Sequence, residues 1–227
     1  MNLGIAMNGL EDRILDITKD VAAQFDEITY VEIGVGEGAT LTAIANALQA
    51  SLRGVGPSGP EARKRWRAIG IELPNGYSFN MARTEKIALE RGLKLNFITP
   101  NCSIVHPPWN EVTVYFKDSQ SLLTEHWQEP VHFALIDGCH GKPCATLDFL
   151  ALEAFMAGGS VMMFHDISPE QKGHAQPHCS EGIDVWGACY DLGLLTGKRK
   201  GWKLGVILNA NKDEGGWDMG IFRKTES

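Results

Sequence analysis

Two short stretches, "IDGCH" and "FHD", each bring a carboxylate and an imidazole to the end of an apolar run: Asp137 with His140, and Asp166 with His165. The runs before them, "VHFAL" and "SVMMF", read as strands. If those strands lie parallel in one sheet, both pairs face one pocket. An imidazole, with an unperturbed pKa of about 6.5, suits proton removal near neutrality. Two converging carboxylates could instead hold a divalent cation such as magnesium, which would acidify a bound hydroxyl. The blander readings make His165 and Asp166 caps of the next turn, and His140 a ring that closes a pocket by stacking. Asp148, inside "ATLDF", is better placed to orient a neighbour than to react.

A second constellation precedes these. "YVEIGVGEGATLTAIANAL" runs a strand into Gly34, Gly36 and Gly38 and then into a helix. Glycines there let the backbone approach a ligand, and the helix N-terminus offers free N–H groups to its polar end. The spacing Gly34-x-Gly36-x-x-Ala39 formally satisfies a dinucleotide fingerprint, which alone is weak evidence. The alternative is E-x-G-x-G-x-G, matched by Glu32, Gly34, Gly36 and Gly38. Glu72 closes the next strand, "AIGIEL", where a carboxylate can accept from two vicinal hydroxyls at once. It lies well beyond the roughly 20-residue spacing of the dinucleotide motif.

In that order, the glycine stretch, Glu72, "FKDSQSLL" and "ALIDGCHGKPCATLDFLALEAFMAGGSVMMFHDIS" resemble the class I S-adenosylmethionine-dependent methyltransferases. The last segment resembles a small-molecule O-methyltransferase-like group with IDGxH and a strand ending His-Asp. The resemblance runs from Tyr30 to about Trp186. It implies S-adenosylmethionine as cofactor, surrounded by Glu32, Gly34, Gly36, Gly38, Glu72, Asp118, Ser119 and Asp137. Glu72 would hold the ribose hydroxyls, while Asp118 and Ser119 would meet the adenine; a plain helix cap is the other reading of Asp118. His140, His165 and Asp166 would face a small-molecule acceptor, with methylation at oxygen. Related enzymes place Asp residues around magnesium at comparable strand ends; His165 stands at one such position here. An NAD-dependent oxidoreductase and a non-catalytic cofactor-binding module are the competing functions.

These residues need a frame. "LEDRILDITKDVAAQF" spaces Leu10, Ile14, Ile17, Val21 and Phe25 as a leader helix within residues 1–27. Strands then alternate with helices, which implies a doubly wound, mostly parallel Rossmann-like sheet with helices on both faces. The closing "WKLGVILNANKDEGGWDMGIFRK" reads as a C-terminal antiparallel hairpin. One domain accounts for residues 1–227, with 51–66 and 93–111 read as insertions.

Composition narrows the partners. A net charge of -7 argues against duplex DNA or an anionic membrane as main partner. The basic run "ARKRWR" reads as a solvated loop or strand edge. No apolar run approaches the roughly 20 residues of a membrane span, and the start carries no signal-peptide pattern. The 5 cysteines form no CxxC pair, which fits reduced thiols in a cytoplasmic protein. His174, His178 and Cys179 cluster in a polar loop, but no zinc frame completes them and a lid is the better reading. A homo-oligomer is compatible with all of this.

Overall fold

The computed structural model describes residues 10–53, 64–74, 79–99, 106–175, 182–208 and 218–226. Successive side chains leave a strand on opposite faces, and that alternation sets the architecture. In β1 (Glu27–Ile33), Ile28 and Tyr30 join one apolar cluster while Val31 and Ile33 join another. Val161 and Met163 of β6 (Met156–His165) likewise oppose Met162 and Phe164. Strands buried on both faces need helices over both. α1 (Glu11–Gln24), α2 (Ala39–Arg53) and α3 (Met81–Glu90) cover the first face through Ile14, Leu41 and Ala88. α4 (Ser119–His126), α5 (Lys142–Glu153) and α6 (Val185–Asp191) cover the second through Leu122, Phe149 and Val185.

The sheet is completed by β2 (Arg65–Glu72), β3 (Leu95–Ile98), β4 (Val112–Phe116), β5 (Val131–Ile136), β7 (Trp202–Leu208) and β8 (Met219–Lys224). Among the described residues its order is β3-β4-β2-β1-β5-β6-β8-β7. The strands are parallel from β3 to β6, and β8 runs antiparallel to both β6 and β7. This is the expected doubly wound sheet with its C-terminal antiparallel pair. The chain winds outward in one direction from β1 and in the other from β5, so a crevice opens beyond the carboxyl ends of these neighbours.

Both segments read as insertions contribute residues to the sheet. Within 93–111, β3 pairs in parallel with β4, Leu95 against Val112 and Ile98 against Tyr115, as the edge strand. Residues 100–105 of that segment, and 54–63 of the segment 51–66, lie outside the described residues. Of the basic run, Arg65, Trp66 and Arg67 open β2; Arg65 is exposed, but Trp66 and Arg67 are buried because β2 lies inside the sheet. The Arg67 guanidinium sits 4.3 Å from the Trp109 ring and 3.1 Å from the Glu129 carboxylate. Its burial is thus covered by an aromatic face and a counter-charge. No helix among the described residues is long and apolar enough to cross a membrane.

Candidate active site

The glycine loop is built by close approach. Gly34, Gly36 and Gly38 all have positive φ, at 85°, 54° and 73°. A Cβ on Gly34 would stand 2.3 Å from the Asp137 carbonyl oxygen, so only glycine lets the end of β1 lie against the end of β5. A Cβ on Gly38 would meet the Thr84 methyl at 2.4 Å, which is how α3 packs onto the loop. Asn80 caps α3 through its side chain, and its backbone N–H donates to the Gly36 carbonyl at 3.3 Å.

Glu72 reaches into this loop. Its Oε2 accepts from the backbone N–H groups of Val35 and Gly36, at 3.0 and 3.1 Å, and its Oε1 from Leu73 at 3.0 Å. A carboxylate has about four acceptor positions, so about one, on Oε1, remains for a ligand hydroxyl. Glu32 lies deeper. It is buried beneath the loop, accepts from the Tyr30 hydroxyl at 2.6 Å, and burial holds its carboxyl well above the ordinary range. It also accepts from the Leu41 backbone N–H of α2.

At the ends of β5 and β6 the expected acids and imidazoles meet. His140 contacts Asp137 through Nε2 at 3.1 Å and Asp166 through Nδ1 at 2.8 Å. His165 Nδ1 lies 2.8 Å from Asp137 and 3.1 Å from Asp166. Asp166 adopts the left-handed conformation, φ 58°, which aspartate tolerates better than most residues. That turn sets its carboxylate against both rings. The start of α6 is tied to this end, since the N–H of its cap residue Asp184 donates to the His140 carbonyl at 2.9 Å.

The electrostatics follow from that alternation. Burial opposes charge on His140, but its two carboxylate partners outweigh it and push the imidazole up to about 10. His165 moves the same way, with burial again overcome by Asp137 and Asp166. Burial would raise Asp137, yet the two imidazoles hold it well below the usual carboxylate range. The carboxylates of Asp137 and Asp166 thus favour the charged form of both imidazoles, and the imidazoles in turn favour the carboxylate of Asp137.

The third group departs from a simple ring of contacts. Asp118 is exposed and caps α4, accepting from the Ser121 N–H at 2.9 Å. Ser119 is buried and donates to Asp148 at 2.6 Å. The structure thus assembles Gly34, Gly36 and Glu72 in one group, and Asp137, His140, His165 and Asp166 in another. Ser119 stands with Asp148. His174 is exposed, while His178 and Cys179 lie outside the described residues. Tyr30 escaped the sequence reading, although its i, i+2 relation to Glu32 on one strand face was the available signal. Gly70 escaped it too; a Cβ there would press on Val35 and Leu41 at 2.5 and 2.9 Å and lift the loop.

A twisted parallel sheet with this crevice, a glycine loop held by an acidic strand end, and an antiparallel terminal pair define the class I methyltransferase architecture. The chain matches the methyltransferase domain family over residues 31–167, more than half its length, and belongs to that family. The matched span holds the glycine loop and both His-Asp strand ends, which sets aside the oxidoreductase reading. A search of curated proteins returns no match. Among solved structures, the fold is similar to an O-methyltransferase from Bacillus cereus in complex with SAH, at 15% identity over 95% of this chain and 80% of that one, TM-score 0.57. The O-methyltransferase TomG of Streptomyces achromogenes, involved in tomaymycin synthesis and in complex with SAM, gives 16% identity over 97% and 89%, TM-score 0.55. A ribosomal protein L11 methylase from Lactobacillus delbrueckii gives 10% identity over 96% and 81%, TM-score 0.53. At these identities the likeness is one of fold.

Proposed function

We propose that the protein transfers the methyl group of S-adenosylmethionine to an oxygen of a small-molecule acceptor. The observation that carries this is the buried Asp137–His140–His165–Asp166 cluster, set beside the glycine loop where Gly34 packs on Asp137. When bound, the cofactor supplies an electrophilic methyl on a sulfonium and leaves as a neutral thioether. Glu72 would hold one of its ribose hydroxyls, and Gly34, Gly36 and Ser119 would border it. The protein's remaining task is to align an acceptor and manage the proton of its hydroxyl. His140 holds its proton at neutral pH, so it takes the proton of the acceptor hydroxyl only in the form that has lost its own. The proton-accepting form develops as either imidazole is relieved of its carboxylate partners.

One specific observation favours a second way of handling that proton. One donor atom each from Asp137, His140 and His165 lie within 4.8 Å of one another. A carboxylate with two imidazoles fits a borderline ion of the zinc or iron(II) class better than magnesium, which asks for octahedral oxygen ligands. Bound there, such an ion would lower the pKa of a coordinated hydroxyl. Cys139, Cys144 and Cys189 carry thiols and form no disulfide, which supports a reducing, cytoplasmic setting.

The experiment is incubation with S-adenosylmethionine and a metabolite extract, followed by mass spectrometry for products heavier by one methyl. A chelator arm, with zinc or iron(II) restored, separates the two treatments of the proton. Tight cofactor binding without any methylated product would instead favour a non-catalytic module.

A further inference from the structure

The outer surface of α5 is chemically out of keeping with the leader helix. α1 turns Asp12, Arg13, Asp16, Lys19 and Asp20 to solvent, as an amphipathic helix should. α5 buries Ala145, Phe149 and Leu152 on its inner side, yet its exposed positions are Pro143, Leu147, Leu150 and, at its C-cap, Ala154. Leu147 and Leu150 are 47% and 42% exposed. The stripe carries no charge, and its spacing, alternately four and three residues, is that of a helix–helix seam. A helix apolar on every side is ordinarily covered on every side. Contiguous exposed apolar surface with a polar rim marks a protein contact.

The flank beside the stripe says what covers it. Lys142 at the start of α5 pairs with Asp191, and Glu153 at its end, about three turns on, pairs with Arg199. The chain from Asp191 to Arg199 thus runs beside α5, acidic where the helix begins and basic where it finishes. Tyr190, 56% exposed, stands at the acidic end, and Lys198 and Lys200 are exposed at the basic end. Both ends line one open groove. The basic turn is pinned by the Gly193 carbonyl, which accepts from the Lys198 and Arg199 N–H groups at 2.9 and 3.0 Å. We propose that this face is a two-fold interface with a second copy of the chain, α5 packing antiparallel on α5 about an axis near Leu147 and Leu150. A two-fold contact joins a patch to itself. Reversing the helix direction therefore lays Lys198 and Lys200 of each copy over Tyr190 and Asp191 of the other. Cations then meet a carboxylate and an aromatic face on both sides of the axis, and opposed helix dipoles favour the same direction. Two chains of net charge -7 repel at long range, and this local match offsets the repulsion at contact.

The test is sedimentation velocity of the full chain, which should show a monomer–dimer equilibrium between about 1 and 100 µM, the affinity range of a small interface. Leu150→Lys changes an exposed position and should leave the thermal melt of the monomer unchanged. It should weaken dimerisation at least about thirtyfold, the scale of an apolar anchor lost from an interface. Lys200→Glu should weaken it about tenfold by setting an acid against Asp191. Adding Asp191→Lys should restore most of that loss, because both charges of the pair are then exchanged. The Lys142 contact given up by Asp191→Lys lies at the surface and contributes little to the fold. If Leu150→Lys does not fold, Leu147→Lys and the charge exchange decide. A chain monomeric at about 100 µM, a dimer indifferent to the leucine substitutions in folded protein, or no recovery in the doubly exchanged chain would overturn the proposal. No cofactor enters the measurement, so its outcome is independent of the methyltransferase activity.

Discussion

His140 engages a carboxylate with each ring nitrogen, at 3.1 Å to Asp137 and 2.8 Å to Asp166. A ring so placed is charged at neutral pH. In metal-stripped protein its proton-accepting form appears only as the pH climbs, so turnover should keep rising from neutrality towards about 10. An unperturbed histidine would level off near about 6.5. A profile already flat above neutrality would contradict the charged resting state. His140→Ala should cost roughly 10²–10⁴-fold in kcat, with the cofactor Kd kept. Stability carries the same signature. The folded pKa lies above the unfolded one, so the contribution of His140 is complete below about 6.5 and is lost as pH rises through about 10. Thermal melts of the wild type should fall across that window more steeply than those of His140→Ala.

The elements convert these residues into a site by approach distances. Gly34→Ala would place a methyl 2.3 Å from the Asp137 carbonyl, on backbone already at positive φ. Backbone cannot yield as a side-chain tip can, so a loss of at least about 2 kcal/mol is expected. In a chain of this size that lowers Tm by roughly 4–8 °C. An unchanged melt would mean that the two strand ends are further apart. Glu72→Ala should weaken cofactor binding by about 1.5–3 kcal/mol, the range for hydrogen bonds to a charged group, as read by titration of S-adenosylhomocysteine. Such sites were legible where a local rule governed them: glycines at a strand-to-helix turn, an acid closing an apolar run, imidazoles beside acids. Less legible was whatever depended on the third dimension. The Ser119–Asp148 bond spans 29 positions, and no periodicity links such partners. Arg67 was misread because a charge run is taken for surface until a sheet neighbour is known on each side. Strand β3 was read as part of an insertion because its 4 residues, all only half-buried, carry little apolar alternation to tie them to the sheet.

At the scale of the whole molecule, a ligand that binds only the folded chain raises its stability by mass action. S-adenosylhomocysteine at about 100 times its Kd should add about 2.7 kcal/mol, a Tm increase of roughly 5–11 °C. NADH should leave the melt unchanged; the reverse pattern would end the methyltransferase reading of the crevice. The way Glu72 grips the loop also bears on time. The Val35 and Gly36 amides are held by Glu72, and the Gly36 carbonyl by the Asn80 amide. The loop is therefore assembled by the protein's own atoms, and a ligand has little left to order. Those two amides should exchange slowly with deuterium before any cofactor is added, and association should follow a single phase limited by encounter. Removing the grip with Glu72→Ala should speed their exchange and add a slow phase to association, as the loop folds around its ligand instead of receiving it.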